Sequence, residues 1–118
     1  VAYDPLAYYE LGKAIYRAVE RGEPLLQLVA TLASRDGRNE TYYLQAYSYY
    51  RLFCRALGLP WTVFRLGPRR LKALRRQIDW DARGGAVRNG RLGKWSRAVA
   101  RRRILQLLEA SGVDDGAR

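Results

Sequence analysis

The stretch from Gly67 to Gly85 reads GPRRLKALRRQIDWDARGG and sets Arg69, Arg70, Lys72, Arg75, Arg76 and Arg83 among three aliphatics, Leu71, Leu74 and Ile78. At helical spacing Leu71, Leu74, Ile78 and Ala82 form one apolar stripe. Arg69, Lys72, Arg76 and Arg83 fall opposite it, Arg70 and Arg75 flank them, and Trp80 joins the basic side. Like charges one turn apart cost a few tenths of a kcal/mol per pair unless a counter-anion is present, and only Asp79 offers an internal partner. The arginine fork grips phosphate oxygens bidentately and keeps its charge. Contacts of that kind position a nucleic acid without reading it. For reading base edges the stretch offers one Gln and no Asn or Ser.

The same device recurs downstream. Lys94, Arg97 and Arg101 make an i, i+3, i+7 stripe, with Arg102 and Arg103 beside it. Between the two basic helices Arg83, Arg88 and Arg91 lie in RGGAVRNGRLG, whose exposed N–H groups can also meet phosphates. A clamp of two basic helices and a basic loop on a duplex backbone is therefore expected. Residues 65–103 hold 14 Arg or Lys against Asp79 and Asp81, while the remaining positions hold 8 basic and 9 acidic residues, so the net charge of +11 is local. Charge concentrated in this way is an electrostatic footprint for a polyanion.

Other chemistries lack their residues. The chain has no histidine and one cysteine, Cys54, which removes the commonest metal ligand and general base, any disulfide framework and any multi-cysteine metal site. Asp79 and Asp81, two apart on the expected helix, point in different directions, so no enzyme, cofactor or small-molecule substrate is expected. No apolar run approaches the ~18 residues of a membrane span. The opening VAYDPLAYYE lacks the basic and hydrophobic regions of a signal peptide. The absence of Met and the scarcity of Cys and Asn point to a hot-living source.

These groups must be positioned by a single all-α domain of about five helices, its length being that of one domain. It divides into a tyrosine-rich packing half (1–60), a basic half (61–110) and a polar tail (111–118). Asp4-Pro5 starts the first helix, on which Leu11, Ile15, Ala18 and Val19 share a face, and Gly22 stops it. LLQLVATLA reads as a buried helix ended by Asp36-Gly37. Asn39 caps a third helix to Leu57, closed by LGLP with Gly58 left-handed. WTVFRLG is the one strand-like run. The arginine helix is expected to reach about Arg83, Asn89-Gly90 to close a small hairpin, and a last helix to run from about Leu92 to Ala110.

All nine tyrosines lie in the first 50 residues. On the third helix Tyr43, Tyr47, Tyr50 and Cys54 share one face, and Tyr42, Tyr49 and Phe53 a neighbouring one. Such amphipathic rings fill a core or subunit interface with their hydroxyls at its edge; a stacking platform for exposed bases is the alternative. On the last helix Leu92, Trp95 and Val99 lie on one side and Ala100, Ile104, Leu107 and Leu108 on another. Two packing faces on each of two helices predict self-association.

In overall character, from DPLAYYELGKAIYRAV through TYYLQAYSYYRLFCRAL to WSRAVARRRILQLL, the chain resembles the major capsid proteins of filamentous viruses of hyperthermophilic archaea. The resemblance rests on no diagnostic motif. It implies two paralogous helical chains that pair and wrap double-stranded DNA in the A form, and hence a place in the virion. That family carries an N-terminal DNA-wrapping arm, whereas the basic segment here is internal. A chromosomal or regulatory winged-helix-like DNA binder, cytoplasmic or in the nucleoid, and a helical small subunit of a CRISPR effector are the alternatives.

Overall fold

The computed structural model describes residues 2–112 and is mostly helical, as expected. Helix α1 (Pro5–Glu20) begins where Asp4 accepts the Ala7 N–H at 3.1 Å, with Pro5 opening its first turn. Helix α2 (Leu25–Asp36) ends at left-handed Gly37 and is a surface helix, not the buried one expected, since it buries only Val29 and Ala33 and leaves Leu26 exposed. Helix α3 (Glu40–Tyr49) is capped by Asn39, whose side chain accepts from Thr41 at 2.7 Å, and it continues in π-helical turns over Tyr50–Ala56. Its stop is the expected one. Gly58 is left-handed at φ 65, and the Leu59 N–H returns to the Phe53 carbonyl at 2.9 Å.

Helix α3 and its π-helical continuation serve two apolar clusters. Tyr43 packs with Ile15 of α1 and with Val29 and Ala33 of α2. Tyr49, Leu52 and Phe53 join Tyr8, Phe64, Leu71, Ile104 and Leu108 in the larger cluster, which draws on both halves of the chain. The tyrosines therefore take the packing role: the Tyr43 hydroxyl donates to Asp36 at 2.7 Å and the Tyr3 hydroxyl to the Phe64 carbonyl at 2.6 Å. Both faces of α3 pack mainly within the chain, with Tyr43, Tyr49, Tyr50 and Phe53 buried and Tyr42 and Tyr47 left half-buried. Where α1 crosses α3 the backbones nearly touch. A Cβ on Gly12 would run into the Ala46 carbonyl and lie 2.9 Å from the Tyr50 Cβ.

The basic half departs from expectation in five places. WTVFRLG forms a 3-10 helix over Trp61–Leu66, not a strand; Val63, Phe64 and Leu66 are buried, and two consecutive bulky apolar residues fit one packed turn. The arginine helix, α4 (Pro68–Gln77), stops six residues before Arg83 because Ile78 turns extended and bridges Trp95 in parallel. Strands β1 (Trp80–Asp81) and β2 (Ala86–Val87) then pair antiparallel. The hairpin turn therefore spans residues 82–85, while Asn89-Gly90 leads into a short 3-10 turn. Helix α5 (Arg97–Ala110) begins five residues after Leu92, with Ser96 accepting from Val99. Leu92 is 97% exposed and belongs to no helix face, so the expected face of Leu92, Trp95 and Val99 does not form. Trp95, Leu105 and Leu107 instead pack against the edge of the larger cluster. The polar tail, from residue 113 onward, lies outside the described residues.

Candidate nucleic-acid interface

Helix α4 is amphipathic in the simplest way. Leu71 is fully buried, Leu74 packs against the same cluster, and Arg69, Arg70, Lys72 and Arg76 are exposed. None of these four cations has an ion-pair partner among the described residues, and neither has the half-buried Arg75. Gly67, at φ 90, turns the chain from the buried 3-10 helix into α4. One apolar anchor per turn thus holds the helix down while the rest of its surface carries positive charge.

Beyond α4 the chain turns on a buried aspartate. Asp79 accepts the Arg91 backbone N–H at 2.9 Å and lies 3.4 Å from Arg88 Nε and 3.6 Å from Arg91 Nε. The Arg91 amide, aided by the two guanidinium groups, holds the Asp79 carboxyl below its ordinary range. Asp81 accepts the Gly84 N–H at 3.1 Å and meets Arg88 from the other side, at 3.8 Å. The two aspartates thus do not diverge along a helix; they share Arg88. A carboxylate sealed in protein needs this compensation, and Arg88 and Arg91 supply part of it while staying exposed to solvent.

Arg97 and Arg101 make contacts within the fold as well. Their Nε groups donate to the Ala56 and Leu57 carbonyls at 3.0 and 3.1 Å, at the end of the third helix. Terminal carbonyls of a helix lack partners within it and attract cations. Arg103 lies over the Trp95 ring at 5.4 Å. Arg102 and Lys94 are exposed.

A shallow cleft of about 360 Å³ is lined by Lys72, Arg75 and Arg76 of α4, by Ile78 and Trp80 beyond it, and by Lys94. The structure therefore brings together Lys72, Arg75, Arg76, Trp80 and Lys94, continued along α4 by Arg69 and Arg70. Arg83 is exposed at the hairpin turn. Arg88, Arg91, Arg97 and Arg101 also make contacts within the fold while remaining exposed at the surface, so the part of the expected two-helix clamp that has no internal partner is one basic helix with the hairpin and Lys94 at its edge. Trp80 reaches this surface from a strand, not from a helical face.

Two cations that charge counting over 65–103 misses, Arg51 and Arg55, lie near the hairpin glycines Gly84 and Gly85. Arg51 places its guanidinium 5.7 Å from the Trp80 ring and 5.9 Å from the Tyr47 ring, and Arg55 lies 5.3 Å from the Tyr16 ring. Arg51 also donates to the Ala82 carbonyl, and a Cβ on Gly85 would come within 2.6 Å of its guanidinium. The sequence signal was the i, i+4, i+8 spacing of Tyr47, Arg51 and Arg55 on the third helix. Compared with protein-family models, curated proteins and solved structures, the chain matches none.

Proposed function

We propose that the protein binds duplex nucleic acid independently of sequence, through phosphate contacts made by α4 and the cleft beside it. One observation carries this. Arginines 88, 91, 97 and 101 are matched to carboxylates or carbonyls, whereas Arg69, Arg70, Lys72 and Arg76 stand exposed with no partner among the described residues. A helix surface that tolerates unrelieved like-charge repulsion is suited to an external anion, and a phosphate backbone supplies one at every step. The side chains are of the positioning kind, without a set of amides or hydroxyls to read bases. Replacing Arg69, Lys72 and Arg76 together by Gln tests this in a fluorescence-anisotropy titration with mixed-sequence duplex DNA. Affinity should fall roughly tenfold or more, with the helical circular dichroism unchanged. Undiminished affinity would refute the assignment.

The finer role we propose is that of a coat subunit on double-stranded DNA in a filamentous archaeal virion. Its support is the whole-chain resemblance in composition and patterning. Leu26 and Leu92, 69% and 97% exposed, are apolar contacts left for neighbouring copies or a paralogous chain. An open helical array forms when a head-to-tail contact does not close. Electron microscopy of the protein mixed with long DNA should then record continuous filaments. Discrete complexes would favour a chromosomal or regulatory binder instead.

A further inference from the structure

Adjoining the basic cleft at Trp80 lies a second hollow of about 300 Å³, lined by Leu25, Leu44, Tyr47, Ser48, Arg51 and Trp80 among others, and not by Lys72 or Lys94. Its volume is at the lower end of the range for small-ligand pockets. Its lining is mainly apolar, with aromatic rings, and Ser48 and Gln45 supply a hydroxyl and an amide. Arg75, Trp80 and Ala82 line both this hollow and the basic cleft, so a strand that follows the cleft passes its mouth.

We propose that this hollow takes one unpaired nucleobase, at an overhang or bulge of a bound duplex, with the adjoining phosphate on Arg75. The proposal rests on the duplex-binding function for its phosphate half and goes beyond it in the base. Three features fit a base better than another occupant. The lining holds the Tyr47 and Trp80 rings and aliphatic side chains, and aromatic rings accept any base by stacking. The Arg51 guanidinium lies between Tyr47 and Trp80 and is anchored by the Ala82 carbonyl, giving a further flat cationic surface for stacking. The mouth is cationic, complementary to a phosphodiester and not to a neutral apolar side chain. Paired bases inside a duplex cannot enter, so the hollow would discriminate broken or ended duplexes from continuous ones.

The test compares a blunt duplex with the same duplex carrying a one-nucleotide overhang of 2-aminopurine, whose emission is quenched when it stacks. The overhang should bind about 5- to 150-fold more tightly, the range of one base–aromatic stack, and its emission should fall on binding. Ser48→Leu and Ser48→Trp, which fill the hollow without removing a charge, should abolish both effects and leave the blunt duplex bound as before. If the larger side chain prevents folding, the smaller still decides. Equal affinity for the two duplexes with undimmed emission would overturn the base site and leave duplex binding standing. Failure to bind either duplex would overturn both.

Discussion

Asp79 and Arg91 are joined twice: the carboxylate accepts the Arg91 backbone N–H at 2.9 Å and faces its guanidinium at 3.6 Å. This pair closes the loop that carries the hairpin back to α4. It needs the aspartate ionised, and its folded pKa lies below the ordinary 3.8. The stabilisation is therefore complete above that ordinary value and is lost as pH falls through the lower folded one. Tryptophan emission should change below about pH 4, because Trp80 and Trp95 flank the aspartate in the chain and in space. Asp79→Asn should blunt the change and lower the melting temperature by several degrees. An acid profile identical to the parent would contradict the loop's dependence on this carboxylate.

Gly12→Ala tests the crossing of α1 over α3. The added methyl meets the Ala46 carbonyl, which is helix backbone and cannot swing aside. Overpacking of this kind costs about 1–3 kcal/mol, read as a lower urea midpoint with the slope unchanged. A neutral or stabilising outcome would mean that the helices separate at little cost.

The arginines should divide into two classes by behaviour. Arg97→Gln and Arg101→Gln each remove a hydrogen bond from a charged donor to a helix-end carbonyl, a loss of about 1–3 kcal/mol in stability. They should affect duplex affinity less than the α4 substitutions do. Arg69→Gln and Arg76→Gln should show the reverse, since their predicted partner is outside the protein. Urea denaturation and anisotropy on the same four variants give the comparison. Equal loss of affinity across all four would restore the two-helix clamp.

What was legible in the sequence was local. Asp4, Asn39 and the LGLP stop act through bonds spanning a few residues, so residue type and spacing suffice to place them. The end of α4 was not legible, because Gln77 and Ile78 are turned aside by Trp95, and Asp79 by Arg91, both through distant pairings. Periodicity alone carries the helix onward to Arg83. Charge counting found α4 for the same local reason, and elsewhere it does not tell which arginines also meet partners inside the fold. Whether Arg88 or Arg97 is free depends on carboxylates and carbonyls that the fold brings up. Arg51 and Arg55 were missed because they sit among tyrosines in a segment whose net charge is unremarkable. Leu92 looked like a helix face and is instead a left-handed residue at φ 58, a conformation that no hydrophobic pattern announces.

The central claim, a phosphate-binding surface built on α4, is tested most directly by the salt dependence of duplex affinity. With Arg88, Arg91, Arg97 and Arg101 engaged in the fold, roughly 5 to 8 phosphates remain to be met, and log K should fall against log salt with a slope near −4 to −7. The slope should be the same for duplexes of unrelated sequence, since the contacts read no bases. A slope shallower than about −2, or one that differs between sequences, would contradict the account.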